Sequence, residues 1–440
     1  MAGTKKTFEL VWTALPAWIR SVLTVSAFLL ALDLFFVAIS LLGAFKSLGS
    51  GLGHDLIVEL AANPILGLVV GILVTSVVQS SSSTTSLVVG LVAAGTLGDD
   101  PVHAVRVAVP IVMGANIGTS VTNILVSFGH VGDRREFERA FAAATVHDFF
   151  NVLSVIVLLP LQIATNFLGR LSMAAVDLFS RAGGLSFASP LKLLVKPQQH
   201  LVSSILDNHW AAAWIVCTTL AGLVLVALQH VLKRALLGQP ARLQQLGLVL
   251  ALGSLAMVIA EVPGLLHSSE LATLLVALIG LFTALWAMVR VMRGVVLGRI
   301  ERLFHNYIFK TPVRAMVLGL LFTALVQSSS VTTSLIVPIA GAGLLTLEQI
   351  YPYTLGANVG TTVTAMLAAL SLGQPAAVAV AAAHLFFNLL GIAIFYPLRR
   401  LPIFLARRLA ALSVVFPPTA PLFVAVVFFI VPIVLIAIVR

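Results

Sequence analysis

Two stretches of the chain place a row of hydroxyl side chains inside apolar surroundings. One runs Gln79-Ser80-Ser81-Ser82-Ser83-Thr84-Thr85-Ser86-Leu87; the other runs Gln327-Ser328-Ser329-Ser330-Val331-Thr332-Thr333-Ser334-Leu335. Eight of the nine positions are identical, with only Ser83 against Val331 differing. Hydroxyls and unpaired backbone N–H groups donate to oxyanions, whereas hydroxyl and carbonyl oxygens ligate a hard cation such as Na⁺. A helix starting at such a row adds a partial positive charge of about +0.5, directed at an anion. Two rows meeting face to face would replace the water shell of a small ion. No Lys or Arg lies between 69 and 97 or between 318 and 345. An anion held there needs a countercharge that arrives with it, and bound cations supply one.

Other chemistry fits these residues less well. Small polar residues also let membrane helices pack closely, but that does not call for the same nine-residue row twice. A serine hydrolase with His147 or His384 as base needs one special serine and an oxyanion hole, not a duplicated row. A channel or exchanger could use the same polar tips but requires no duplication.

Two further motifs recur in the same order. Gly114-Ala115-Asn116-Ile117-Gly118-Thr119 returns as Gly356-Ala357-Asn358-Val359-Gly360-Thr361. Here the glycines permit an unwound turn inside an apolar helix, and Asn and Thr side chains with freed carbonyls suit a cation. Close helix packing is the other reading of these glycines. His147-Asp148-Phe149-Phe150-Asn151 returns as His384-Leu385-Phe386-Phe387-Asn388. His147 and Asn151 share a helix face, with Asp148 beside it. An aspartate inside a membrane costs about 2.5–3.5 kcal/mol on insertion scales and is a functional candidate by default. Its counterpart is Leu385, so the two copies differ by one negative charge. Asp33, Glu59 and Glu261 lack repeated counterparts and read as helix-end residues.

The elements that must hold these groups follow from composition. The chain has 440 residues, of which 60% are hydrophobic and 10% charged, against about 25% charged in soluble domains. Apolar runs at about 21–44, 64–97, 104–128, 140–168, 210–232, 243–262, 271–292, 313–345, 353–372, 376–398 and 417–439 each reach span length, about 20 residues for one crossing. The expected fold is an all-α polytopic membrane protein. The net charge of +10 reflects Lys and Arg in short loops rather than nucleic-acid binding. The lone Cys217 excludes an internal disulfide and a cysteine metal site. No cleaved signal peptide is expected, because the run after Arg20 is of full span length.

Runs 64–97 and 313–345 are too long for one span and hold the serine rows. They read as re-entrant hairpins, tolerated where protein or a water-filled cavity covers the irregular backbone. Loop charges at Asp133-Arg134-Arg135, Lys233-Arg234, Arg290 to Arg314, Arg399-Arg400 and Arg407-Arg408 read as cytoplasmic, while Glu261 to Glu270 and the 166–209 segment read as external. The count places an odd number of crossings between the rows, so the copies lie upside down relative to each other. Two inverted-topology repeats, each with a re-entrant helical hairpin and an interrupted transmembrane helix, are secondary-transporter architecture with a site near the midplane. The expected divisions are a cytoplasmic N-terminus (1–20), a first repeat (21–168), an external segment with connecting helices (169–310), a second repeat (311–400) and a C-terminal amphipathic segment and helix (401–440).

On Gln79 to Ser82, Gln327 to Ser330, the Asn116 to Ser120 run and VGDRREFERAFAAATVHDFFN from Val131 to Asn151, the chain resembles the type II sodium–phosphate cotransporter family over about 21–400. The resemblance implies symport of inorganic phosphate into the cell, driven by the sodium gradient and not an enzymatic reaction. There is no cofactor; Na⁺ is the co-transported ion and the partners are phosphate and lipid. Phosphate is expected at Ser80, Ser81, Ser82, Ser328, Ser329 and Ser330 with Asn116 and Asn358. Sodium is expected at Gln79, Gln327, Asp133, Asp148, Asn151, Ser328, Thr119 and Thr361. An aspartate at 148 is the family's mark of electrogenic members, implying about three Na⁺ per divalent phosphate. A sodium-coupled transporter or channel for another small oxyanion is the alternative. His130 stands where the family has a glutamine, and Ala357 where a serine is common. The short 166–209 segment, without cysteine or an Asn-x-Ser/Thr sequon, implies a compact bacterial member in the plasma (inner) membrane.

Overall fold

The computed structural model describes residues 16–41, 63–181 and 311–439, with isolated positions at 204, 278–281, 283 and 309. The apolar runs at 210–232 and 243–262, most of the run at 271–292, Cys217, Glu59, the Lys233-Arg234 and Arg290 charges and the Glu261 to Glu270 connection lie outside the described residues. Everything regular among the described residues is helical. In chain order the helices are α1 (Ala17–Leu41), α2 (Pro64–Val78), α3 (Ser81–Ala93), α4 (Pro101–Gly118), α5 (Val121–Ser127), α6 (Arg134–Thr165) and α7 (Phe167–Arg181). They continue with α8 (Pro312–Val326), α9 (Ser329–Ser334), α10 (Ile336–Gly341), α11 (Leu347–Leu372), α12 (Pro375–Phe395), α13 (Arg400–Val415), α14 (Thr419–Ala425) and α15 (Val431–Val439).

Five helical stretches among the described residues are long and apolar enough to cross a bilayer: Pro101–His130, Arg134–Thr165, Leu347–Leu372, Pro375–Phe395 and Thr419–Ile438. The first includes the turn at Thr119-Ser120 and ends in a short 3₁₀ segment.

Both long serine-bearing runs break where the hydroxyl rows begin. α2 and α8 start alike, with a capping Asn63 or Thr311 followed by proline at the first helical position, where its missing N–H and fixed φ cost nothing. They end alike, with Gln79 (φ 59°) and Gln327 (φ 58°) in the left-handed region. A non-glycine residue there costs about 1–3 kcal/mol and persists where its surroundings hold it. Ser80 and Ser328 then cap α3 and α9, accepting from Ser83 N at 3.2 Å and Val331 N at 3.3 Å. The side-chain oxygen satisfies one of the donors that a helix start leaves unpaired.

The glycines of the second motif do a different job from the one expected. In α11, Gly356 to Gly360 is continuous helix, so the second copy has no interrupted helix at this motif. In the first copy the helix pauses only at Thr119-Ser120 before α5. The glycines instead permit close approach. A Cβ on Gly114 would lie 1.9 Å from the Leu68 carbonyl oxygen, and one on Gly356 would lie 1.8 Å from that of Met316. α2 against α4 and α8 against α11 are therefore packed backbone to backbone, which is the close-packing role small residues play between membrane helices.

The remaining packing centres on α6, α11 and α12. α13 lies along α6, α7 along α12, and α3 against α11. Tyr351, Tyr353, Phe141, Phe150 and Phe387 are wholly buried there. α7 lies beyond the expected apolar runs; Asn166 (φ 50°) separates it from α6.

Candidate functional site

The two hydroxyl rows meet. Ser82 Oγ donates to the Gln327 carbonyl at 3.3 Å, and Ser330 Oγ to the Thr119 carbonyl at 3.3 Å. Thr333 Oγ1 donates to Asn123 Oδ1 at 3.0 Å. Ser81, Ser82, Ser329 and Ser330 are buried, while Ser80 and Ser328 are half-buried. Among the described residues no Lys or Arg side chain donates to either row.

Each leading glutamine is pinned at both ends of its amide. Gln79 Nε2 donates to the Ser76 carbonyl, and Gln327 Nε2 to the Ala324 carbonyl. These are carbonyls that the ends of α2 and α8 leave without helical partners. Gln79 Oε1 accepts from Thr122 Oγ1 at 2.7 Å, and Gln327 Oε1 from Thr364 Oγ1 at 2.6 Å. Thr122 and Thr364 are equivalent positions, each six residues past the motif asparagine. The repeated motif as read from sequence ends short of them, although extending it three residues past Thr119 and Thr361 finds the pair. Thr75 and Thr323, one turn before each glutamine, are also equivalent; both hydroxyls are buried and donate to no protein group.

Beside the rows lies a buried polar seam in which each copy's histidine reaches the other copy's asparagine. His147 Nε2 bonds Asn358 Oδ1, and His384 Nε2 bonds Asn116 Oδ1 at 3.1 Å. Around His147 the set is closed. Asn358 Nδ2 donates to Asn151 Oδ1 at 2.9 Å, and Asn151 Nδ2 donates to the Asn116 carbonyl at 2.8 Å. Asn358 Oδ1 is thus the acceptor, which places the imidazole proton on Nε2; Nδ1 then accepts from Ser120 Oγ at 2.9 Å. Around His384 the matching set is open. Asn116 Nδ2, Asn388 Oδ1 and His384 Nδ1 are buried and unpaired, Asn388 donating only to the His384 carbonyl.

Asp148 is 1% exposed and both its carboxylate oxygens are without a hydrogen-bond donor. Ser120 is the hydroxyl beside it, and the same hydroxyl lies 2.9 Å from His147 Nδ1. A buried acceptor left unpaired costs about 1–3 kcal/mol, and more for a charged one.

Most of the sequence-predicted residues gather here. Gln79, Ser80 to Ser82, Asn116, Thr119, Asn151, Gln327, Ser328 to Ser330 and Asn358 fall in the rows or the seam, with Asp148 next to it and Thr361 one turn beyond Asn358 on α11. Some of their atoms are already committed: Thr119 and Thr361 donate back to the Ala115 and Ala357 carbonyls, and both ends of the Asn358 amide are used. Asp133 stands apart. It is an exposed cap of α6, accepting from Arg135 N at 2.8 Å and Glu136 N at 3.0 Å. The Glu136 and Arg135 N–H groups hold its carboxyl below its ordinary range. His130 lies nearby, 3.2 Å from Glu136.

The spans and this shared interior define a multi-pass α-helical membrane protein with two halves built on the same three motifs. The sequence profile of the Na⁺/Pi-cotransporter family matches residues 34–174 and 280–400. The chain belongs to that family. It is similar to the Rattus norvegicus sodium-dependent phosphate transport protein 2A, 38% identical over 415 residues, which covers 88% of this chain and 63% of the relative. It is 36% identical over 442 residues to the Homo sapiens sodium-dependent phosphate transport protein 2B, covering 92% of this chain and 62% of the relative. The chain therefore spans just under two thirds of the length of the curated relatives it matches. No solved structure matches it significantly.

Proposed function

We propose that the chain is a sodium-coupled symporter of inorganic phosphate rather than an enzyme. The observation that carries this reading is the meeting of the two hydroxyl rows with no basic side chain among the described residues bonded to them. Bound oxyanion would take hydroxyl and backbone donors from Ser80 to Ser82 and Ser328 to Ser330, with Asn116 Nδ2 as a free amide donor. Its countercharge comes from co-bound Na⁺, and a cation strengthens anion binding steeply in a site of low dielectric. Oxygens suited to Na⁺ are at hand in Gln79, Gln327, Thr119, Thr361, Asn151 and the unpaired Asp148 carboxylate.

The crosswise His147–Asn358 and His384–Asn116 contacts support a two-fold relation between the halves, as inverted repeats require. On this reading α2–α3 and α8–α10 are re-entrant hairpins whose broken ends line the site. Asp148, present in one half only, makes transport electrogenic, with about three Na⁺ for each HPO₄²⁻. The location is the plasma (inner) membrane.

Radiolabelled phosphate uptake into proteoliposomes tests the coupling. Uptake rises with external sodium and not with potassium; equal uptake in both refutes the proposal.

A further inference from the structure

A second feature is lined by none of the row or seam residues. A cavity of about 400 Å³ opens where the start of α6 meets the corner between α13 and α14. That volume is within the range of about 300–1,000 Å³ typical of small-molecule sites. Its walls are apolar, including Phe128, Phe137, Val414, Pro417 and Pro421. The Phe128 and Phe137 rings stack at 6.3 Å. The one polar wall residue besides Arg134 among the described residues is Ser413, whose hydroxyl is committed to the Leu409 carbonyl at 2.8 Å.

Among the described residues Arg134 is the one charged side chain in the wall. It has no ion pair or side-chain hydrogen bond among the described residues, although acids are close in sequence. The Asp133 carboxylate is occupied by the N–H groups of Arg135 and Glu136, and Glu136 faces His130. The cavity also has a defined depth. Arg134 begins one span and Ala420 and Pro421 lie at the beginning of another, so the wall is built from the first residues of two membrane helices. That is the level of the lipid headgroups. The last span is only 11% buried within the protein, which leaves its side open to acyl chains. Between the two spans runs α13, which contains Arg400, Arg407 and Arg408 and no acidic residue. Leu401, Phe404, Leu412 and Val415 are exposed on it. Positive charge of this kind near a membrane surface attracts anionic lipid.

We propose that this cavity is a binding site for an anionic phospholipid, with the acyl chain against the apolar wall and the headgroup phosphate on Arg134. Arg134 supplies a planar pair of donors that matches a phosphate. Arg400 and Arg408 add positive charge on α13, whereas Arg407 is paired with Glu348 at 2.7 Å, and such charge favours anionic over zwitterionic headgroups. The site is independent of the transport reading.

Native mass spectrometry of the full chain in detergent, titrated with dioleoyl phosphatidylglycerol or dioleoyl phosphatidylcholine, tests this. The wild type holds phosphatidylglycerol several-fold more tightly. Arg134→Gln removes about fivefold of that preference, the share expected for one basic contact. Val131→Trp, at an exposed wall position, weakens both lipids by filling the cavity. Millimolar inorganic phosphate does not displace the phospholipid. Equal binding of the two lipids, an unchanged preference in Arg134→Gln, or displacement by free phosphate overturns the proposal. Arg134 is exposed, so its variant decides the matter even if Val131→Trp fails to fold.

Discussion

The glutamine–threonine clamps give a prediction that the two copies test against each other. Thr364→Val removes the hydroxyl that donates to Gln327 Oε1 at 2.6 Å and keeps the side-chain shape. Gln327 is buried, with 4% of its surface exposed, so its carbonyl is left without a partner at a cost of about 1–3 kcal/mol. Thr122→Val makes the same change at Gln79, which is half-buried. Water replaces the hydroxyl there, and only the net worth of one hydrogen bond, about 0.5–1.5 kcal/mol, is lost. If the loss at Gln327 falls wholly on the sodium-loaded state, the half-saturating sodium concentration for phosphate uptake rises about 5- to 150-fold in Thr364→Val. The rise in Thr122→Val is about 2- to 12-fold. The assay is sodium-dependent phosphate uptake in proteoliposomes, paired with the melting temperature of the purified protein, which reads the clamp without reference to transport. Thr364→Ser restores the hydroxyl and recovers most of both values. The reasoning is refuted if Thr364→Val leaves uptake and melting temperature at wild-type values, or if Thr122→Val has the larger effect.

Three further outcomes are expected. Asp148→Gly lowers the phosphate-evoked current for each phosphate carried while some uptake remains, and simultaneous current and isotope measurement sinks the assigned role if that ratio does not change. Gly356→Ala forces α8 and α11 apart, because its Cβ would lie 1.8 Å from the Met316 carbonyl oxygen; the melting temperature falls sharply, whereas Gly129→Ala, with nothing within 4 Å of the added carbon, leaves it nearly unchanged. Asp133→Ala lowers the melting temperature at neutral pH by removing the α6 cap. Because folding depresses the Asp133 carboxyl, that contribution is present above the ordinary carboxylate range and fades as pH falls through the lower folded value. A difference from wild type that persists unchanged at acid pH contradicts this cause.

Much of the chain is legible from local pattern alone. The apolar runs at 104–128, 140–168, 353–372, 376–398 and 417–439 coincide with the five spans among the described residues, because a bilayer sets the length of a crossing helix. The helix breaks fall at Gln79-Ser80 and Gln327-Ser328, where a polar row interrupts an apolar run and serine is a favoured cap. The duplicated motifs also name most of the residues that the fold gathers. The glycine motif misleads for a physical reason: glycine both loosens a helix and lets another helix come close, and sequence does not say which use is made. Only the approach of Leu68 and Met316 decides for contact. Asp133 is expected at a sodium site only through the family resemblance, and its carboxylate is used by the backbone two and three residues on.

What the sequence by itself determined is the membrane class, the repeated motifs and the places where helices stop, all of which arise from interactions within a few turns of one segment. What only the tertiary structure decided is partnership: His147 with Asn358, His384 with Asn116, and Thr122 and Thr364 with their glutamines. These pairs join helices that are far apart in the chain, and a side chain's type does not record which distant surface will be packed against it. The same packing closed the polar set around His147 and left the set around His384 open, a difference that two nearly equivalent motifs do not reveal.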